Sequence, residues 1–310
     1  CPFLQKSSEM MEEANFGGLP PEHSDLEHSR IAILPVPYDA TSTWVKGADK
    51  GPEAILRASA NMELYDIETD SEVYRQGIFT DRPVPNDLSP EAMVAEVRAK
   101  AGEHLTNGRF AIVVGGEHSV SVGTVEAHAA KYAGMSVLQL DAHSDLRSEY
   151  EGSKYNHACV MARVRELCPI VQVGIRSMDI SEKPAMDRDR VFLAEEIRGQ
   201  TDWIDRVVEK LSDRVYITID LDAFDPSIMP STGTPEPGGL LWYDVLTLLK
   251  TVCRCRELVG FDVVELCPVE GNWGPDFLAA KLIYKILSYK FGGDYGQEGP
   301  SEGTDPPHRR

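Results

Sequence analysis

Six short apolar runs recur along the chain: Ile31–Val36, Ala111–Val114, Ser136–Leu140, Ile170–Val173, Val215–Ile219 and Leu258–Val264. Their β-branched content and largely continuous apolarity suit strands covered on both faces, with no solvated side to alternate with. The stretches between them are long enough for helices. Ser89-Pro90-Glu91 supplies a capping hydroxyl, a first-turn proline and an acid. Met93, Val97, Ala101 and Leu105 then share one helical face, and Asn107-Gly108 stops the run. Leu278, Leu282, Ile286 and Tyr289 mark another stripe before Gly292-Gly293. Strand–helix alternation predicts a mostly parallel sheet between two helical layers, a three-layer αβα fold. Right-handed crossovers then bring the strand C-termini to one edge, where ligands of open α/β sheets bind. No repeat or linker divides the chain. The expected organisation is one α/β domain over residues 30–291, an N-terminal arm (1–29) and a flexible C-terminal tail (292–310), both polar and rich in Gly and Pro.

The residues at the strand ends are chemically unusual. Ala111–Val114 leads into Gly115-Gly116-Glu117-His118-Ser119, and Ser136–Leu140 into Asp141-Ala142-His143-Ser144-Asp145. Val215–Ile219 leads into Asp220-Leu221-Asp222, and Leu258–Val264 into Glu265-Leu266-Cys267-Pro268. In an extended chain residues i, i+2 and i+4 share a face, so Asp141, His143 and Asp145 are expected to project together, as are Asp220 and Asp222. Four carboxylates gathered at one partly buried edge cannot all stay ionised without cations among them. Two divalent metals resolve the conflict, and oxygen-rich ligation with two imidazoles suits Mn²⁺ better than a thiolate-rich zinc site does. Taken singly, each motif has a plainer explanation. Asp-x-Asp after a strand is commonly a turn or cap, and Gly-Gly can be only a tight turn. Their joint placement on strand ends is what points to metal, with His118 as a sixth ligand.

Bulk properties narrow the partners. Fifty acidic residues against 31 basic ones leave a formal charge of −19, which repels phosphate backbones and argues against nucleic acid. The same field weakly attracts a small cation. Six cysteines, including Cys253-x-Cys255, fit neither a secreted disulfide framework nor a zinc knuckle. No apolar run approaches the ~20 residues of a membrane span, and no h-region opens the sequence. The cytoplasm is the expected compartment.

Gly-Gly-Glu-His-Ser, Asp-Ala-His-Ser-Asp and Thr218-Ile219-Asp220-Leu221-Asp222-Ala223-Phe224-Asp225-Pro226 resemble the three signature motifs of the ureohydrolases, a group that includes arginase, agmatinase, guanidinobutyrase and formimidoylglutamase. Further matches are Thr41 to Ile55 and Thr232-Gly233-Thr234-Pro235, so the resemblance runs from about residue 31 to 291. Glu117 stands where most members carry Asp. The resemblance implies two manganese ions per subunit bridged by Asp141 and Asp220. His118 and Asp145 would complete one shell, and His143 and Asp222 the other. It further implies Glu265 as the partner of a substrate guanidinium, Thr234 as a hydroxyl near the reacting group, and Asp145 and His157 as proton carriers in a homo-oligomer, trimer or hexamer.

By its position alone, His157 reads as an ordinary loop histidine. The other histidines, 23, 28, 104, 128 and 308, are expected in tails or helical runs, exposed to solvent. For Glu265, directly after an apolar strand, a salt bridge to a neighbouring Arg or Lys is the plain alternative, and Asp262 and Glu270 are rivals for its role.

The resemblance is greatest to bacterial agmatinases, which implies agmatine plus water giving putrescine and urea. In the loop after Asp145, Glu149 and Glu151 favour a cationic tail, whereas Arg147 would suit guanidinobutyrate or another ω-guanidino acid. A catalytically silent homologue would need a lost ligand, and none is missing. A histone-deacetylase-like site with one zinc would use fewer ligands.

Overall fold

Every one of the six runs becomes a strand in the computed structural model, which describes residues 15–292. The strands are β1 (Ile31–Val36), β2 (Ile78–Thr80), β3 (Phe110–Gly115), β4 (Ser136–Leu140), β5 (Ile170–Ile175), β6 (Val191–Leu193), β7 (Arg214–Asp220) and β8 (Glu257–Val264). They form one sheet in the order β2-β1-β3-β8-β7-β4-β5-β6, with every neighbouring pair parallel. β2 and β6, the two edge strands, have three residues each, too few to show a period.

Side chains alternate between two cores. Ile112 and Val114 belong to one core with residues of α1 (Gly51–Ser59), α5 (Ala194–Ile197), α6 (Trp203–Lys210), α7 (Trp242–Cys255) and α8 (Gly274–Phe291). Val113, between them, packs with α2 (Pro90–Thr106), α3 (Ser121–Lys131) and α4 (Val160–Val164) on the other face. The period of two that one-sided sheets show as apolar/polar is here apolar on both sides. Ser89 caps α2 as its sequence requires, its Oγ accepting from Ala92 N at 3.3 Å.

Two expectations change. Residues 15–29 lie on the domain: Phe16 is fully buried in the core, its N–H donates to Thr80 Oγ1 at 2.9 Å, and Leu19 is buried beside it. A single aromatic anchor in a polar, Gly-rich stretch leaves no periodic trace. Residues 1–14 of the arm, residues 293–310 of the tail, and His308 lie outside the described residues. His104 and His128 are buried rather than solvated. His104 Nε2 is 3.1 Å from Asp81 Oδ2, and His128 packs on the Tyr216 ring beneath Gly260, where any side chain would collide with the imidazole. Among the described residues no helix is long and apolar enough to cross a membrane.

Candidate metal centre

The four strands that end in chemistry, β3, β8, β7 and β4, are the four central strands, adjacent in that order. His118 follows β3, Asp141 to Asp145 follow β4, Asp220 and Asp222 follow β7, and Glu265 follows β8. Gly116 is obligatory here: a Cβ would fall 2.0 Å from Tyr38 O, so only glycine lets the chain after β3 press against the loop after β1.

Two groups of ligand-type atoms assemble: His118, Asp141 and Asp145; and Asp141, His143 and Asp222. His118 Nδ1 lies 3.1 Å from Asp141 Oδ2, 3.0 Å from Asp145 Oδ2 and 3.5 Å from Asp220 Oδ2. His143 Nδ1 lies 2.9 Å from Asp222 Oδ2 and 3.7 Å from Asp141 Oδ1. Asp141 belongs to both groups. The opposite oxygens are tied back to the protein. Asp220 Oδ1 accepts from Asp222 N at 2.8 Å, Asp222 Oδ1 from Ala142 N at 2.9 Å, and Asp141 Oδ1 from His143 N at 2.6 Å. Asp220 and Asp222 therefore have one oxygen anchored and one turned toward an imidazole, whereas Asp141 has both oxygens held, Oδ1 by His143 N and Oδ2 by Gln139 Nε2 at 2.7 Å, with an imidazole beside each.

Asp145 does not reach the centre by simple alternation. The chain leaves the strand after Leu140, and Asp145 has φ +53°, a left-handed conformation that costs a non-glycine residue about 1 kcal/mol or more. The surroundings hold it there: Asp145 O accepts from Met161 N and Ala162 N at the start of α4. Glu265 is left-handed as well, at φ +67°.

Electrostatics show a cluster short of positive charge. Burial, and then Asp141, push Asp145 up to about 6. Burial, followed by Asp222 and Asp141, pushes Asp220 well above the carboxylate range. Burial, then Glu117, raises Glu265 to about 8. Among the described residues no Lys or Arg pairs with any of these acids. His118 Nδ1 is fully buried and makes no well-aligned hydrogen bond, although three carboxylates surround it. Nitrogen and oxygens that converge on a common point without pairing are what a cation's ligands look like. Donors about 2.2 Å from one ion, roughly at right angles, stand about 3 Å apart. The residues present fit a divalent pair.

Behind the ligands runs a second layer that the sequence does not announce. His118 Nε2 is 2.9 Å from Thr218 Oγ1, which donates to Asp262 at 2.7 Å; Tyr216 donates to the other Asp262 oxygen. Asp262 is thus a buried support for His118, not a rival to Glu265, and Glu270 is exposed. Arg176 Nη2 donates to Asp222 O and Glu236 O, both at 2.7 Å, and Nε donates to Pro237 O at 3.0 Å. It staples the strand after which it falls to the loop carrying Asp222 and Thr234, and among the described residues its acceptors are main-chain carbonyls.

A cavity of about 320 Å³ opens over the centre. His118, Asp145, Asp220, Glu265, Thr234 and His157 line its floor and sides; Trp44, Tyr150, Met178 and Asp179 line its outer part. Glu265 has no Arg or Lys partner among the described residues; its Oε1 accepts from His118 N at 2.7 Å. Glu149 and Glu151, expected to hold a cationic tail, are exposed and absent from the walls. Asp179 and Glu182 line the cavity instead. The Asp179-Ile-Ser-Glu182 spacing is a readable capping box. Glu182's further bonds, to Ser144 Oγ and Leu146 N, are long-range and leave no sequence signal.

Fold and site together define an α/β enzyme with a candidate metal-ligand cluster at the C-terminal edge of a parallel sheet. The arginase-family model matches residues 29–288. An N(1)-aminopropylagmatine ureohydrolase of Synechocystis sp. is 38% identical over 84% of this chain and 88% of its own length. An agmatinase of Pyrococcus horikoshii is 31% identical over 85% of this chain and 93% of its own. The crystal structure of the agmatine ureohydrolase of Thermoplasma volcanium superposes with a TM-score of 0.81 at 30% identity, covering 93% of this chain and all of that one. The chain belongs to the arginase family and is an agmatinase-type ureohydrolase.

Proposed function

We propose that this enzyme hydrolyses the guanidino group of a small linear substrate with a cationic far end, in the first place agmatine, to urea and putrescine. The state of Arg147 carries the choice of tail. Its Nε lies 3.6 Å from Glu182 Oε1, its Nη2 lies 3.8 Å from Asp179 Oδ2, and its guanidinium lies 4.5 Å from the centroid of the Tyr150 ring. Two acids of the wall already face its charge, so the outer cavity is net acidic and favours an ammonium over a carboxylate. Glu182 is committed to structural bonds with Ser144, Leu146 and Asp179 N, whereas among the described residues Asp179 Oδ2 has only the long Arg147 contact. Asp179 is the natural partner for the tail. N1-Aminopropylagmatine, for which the Synechocystis relative is named, extends the same chemistry by one more amine.

At the reacting end Glu265 is a half-buried carboxylate pushed up to about 8 by desolvation and then by Glu117, with no cation paired to it among the described residues. A guanidinium supplies one, in the planar two-bond contact that carboxylates make best. Thr234 lines the same cavity and offers a hydroxyl to the bound group. His118, Asp145, Asp141, Asp220, His143 and Asp222 would hold two divalent cations, assigned to manganese on their oxygen-rich donor set. Such a pair supplies charge neutralisation and a water acidic enough to act as nucleophile near pH 7. Asp145 lines the cavity at this point and can hold the proton shed by the nucleophile and pass it to the departing nitrogen. Burial holds His157 down to about 4, so it is neutral at pH 7 and presents a lone pair to the cavity it lines.

A second reading, guanidinobutyrate, rests on the same Arg147, because it lines the cavity. Urea release measured on agmatine, N1-aminopropylagmatine, guanidinobutyrate and arginine, with and without added Mn²⁺, separates them. The expected result is Mn²⁺-dependent kcat/KM at least about tenfold higher for the two cationic substrates, a 1.4 kcal/mol preference. Preferential turnover of guanidinobutyrate would overturn the assignment of the tail, and no urea from any of the four would overturn the hydrolytic reading.

A further inference from the structure

The loop after β1 makes a contact that the hydrolytic chemistry does not by itself require. Thr41 Oγ1 donates to Glu117 Oε1 at 2.6 Å. The same oxygen accepts the main-chain N–H of His157 at 3.0 Å and lies 3.3 Å from His157 Nδ1. Glu117 is fully buried and also receives Thr41 N at 2.7 Å, Ser42 N at 2.8 Å and Ser119 Oγ at 2.6 Å. Main-chain N–H groups can only donate, so this carboxylate is an acceptor surrounded by donors.

A hydroxyl has one proton and two lone pairs. The proton of Thr41 goes to Glu117, because a carboxylate met by Thr41 N, Ser42 N and Ser119 Oγ as well is the acceptor in the 2.6 Å contact. One lone pair takes His157 N–H. The remaining lone pair faces Nδ1 and can bond only to a nitrogen that carries a hydrogen. Among the described residues no group bonds Nε2, and His157 lines the cavity.

We propose that Thr41, its hydroxyl oriented by Glu117, fixes His157 in the tautomer protonated on Nδ1 and leaves Nε2 as the nitrogen that exchanges protons with the cavity. Thr41 and Glu117 are positioning residues. What Nε2 does with the proton rests on the hydrolytic reading, but where the resting proton lies does not. Imidazole rings must present a lone pair to take a proton, and the bond made by the other nitrogen decides which one does so. Without Thr41 the ring would be free to adopt the Nε2–H form, and its base would point at the protein.

The test is ¹⁵N spectroscopy of the full chain labelled at histidine, loaded with diamagnetic Mg²⁺ at a pH where His157 is neutral. The His157 signals are assigned by their loss in His157→Asn. Wild type should show a protonated Nδ1 and a bare Nε2; Thr41→Val should shift the ring toward Nε2–H, and Thr41→Ser should restore the native pattern. With Mn²⁺ and agmatine, Thr41→Val should lower kcat about tenfold and leave KM within about twofold, with Thr41→Ser near wild type. A wild-type ring protonated on Nε2, or an unchanged tautomer in Thr41→Val, overturns the proposal. If no guanidino substrate is turned over while the tautomer responds as stated, the proposal stands and the hydrolytic reading is what fails.

Discussion

Two groups of acids in this protein meet the same problem and solve it differently. On α8, Lys285 Nζ lies 2.9 Å from Asp66 Oδ2 and 2.5 Å from Glu68 Oε2, and Lys250 and Tyr289 also bond Glu68. Burial opposes ionisation there, but hydrogen bonds from Lys250, Lys285 and Tyr289 hold Glu68 down to about 2. At the sheet edge, Asp141, Asp145, Asp220 and Asp222 are buried with imidazoles only, and three of the four are driven upward. One cluster contains its own counter-charge; the other is built to receive it. Crowded acids therefore mark a cation site only where the chain omits the lysine that would complete a structural one.

Substitutions should separate the two clusters sharply. Asp220→Ala removes an oxygen facing His118 and should abolish stoichiometric Mn²⁺ binding and lower kcat at least about a thousandfold. Asp145→Ala should do the same, and metal analysis with urea release that stayed normal in either variant would refute the site. Lys285→Ala should leave metal content intact but cost about 3–5 kcal/mol of stability in a denaturant titration, since it strands a buried acid; a change below about 1 kcal/mol would remove the contrast. His157→Asn should fall between them in kind, with metal content and stability unchanged and kcat lower by about 10²-fold.

Acid should sharpen the contrast by revealing what individual titrating groups contribute. Glu68, depressed from 4.5 to about 2, contributes stability that is complete above pH 4.5 and lost as pH falls toward 2. His128 is held down to about 4 by burial, so below pH 6.5 the unfolded chain binds a proton that the folded one refuses, and stability falls between pH 6.5 and 4. His128→Gln should flatten that upper window alone. An unaltered slope from pH 6.5 to 4 would show that another group governs it.

Sequence made the sheet and its reactive edge legible for a definite reason. Strands buried on both faces are written as short, mostly apolar runs, and at four of the six the acid or imidazole that follows the run is the residue delivered to the edge. Asp141, His143, Asp220 and Asp222 come together as that pattern requires. Asp145 comes by a left-handed turn that no alternation predicts, because the bonds that hold it there come from Met161 and Ala162, sixteen and seventeen residues further along the chain. The outer cavity was least legible. Glu149 and Glu151 are near the site in sequence and point elsewhere, whereas Asp179 and Glu182 arrive after another strand. His104 and His128 read as solvated because a helix carries no mark of which polar residue it turns inward. Phe16 gave no signal because one anchor is not a pattern.

Arg176 couples two segments that are far apart in the chain. Because its guanidinium is spent on carbonyls from Asp222 to Pro237, the loop following β7 and the end of β5 behave as one mechanical part. Efforts to retune selectivity by transplanting either segment from a relative should move both together; a graft of one alone would inherit a socket without its peg.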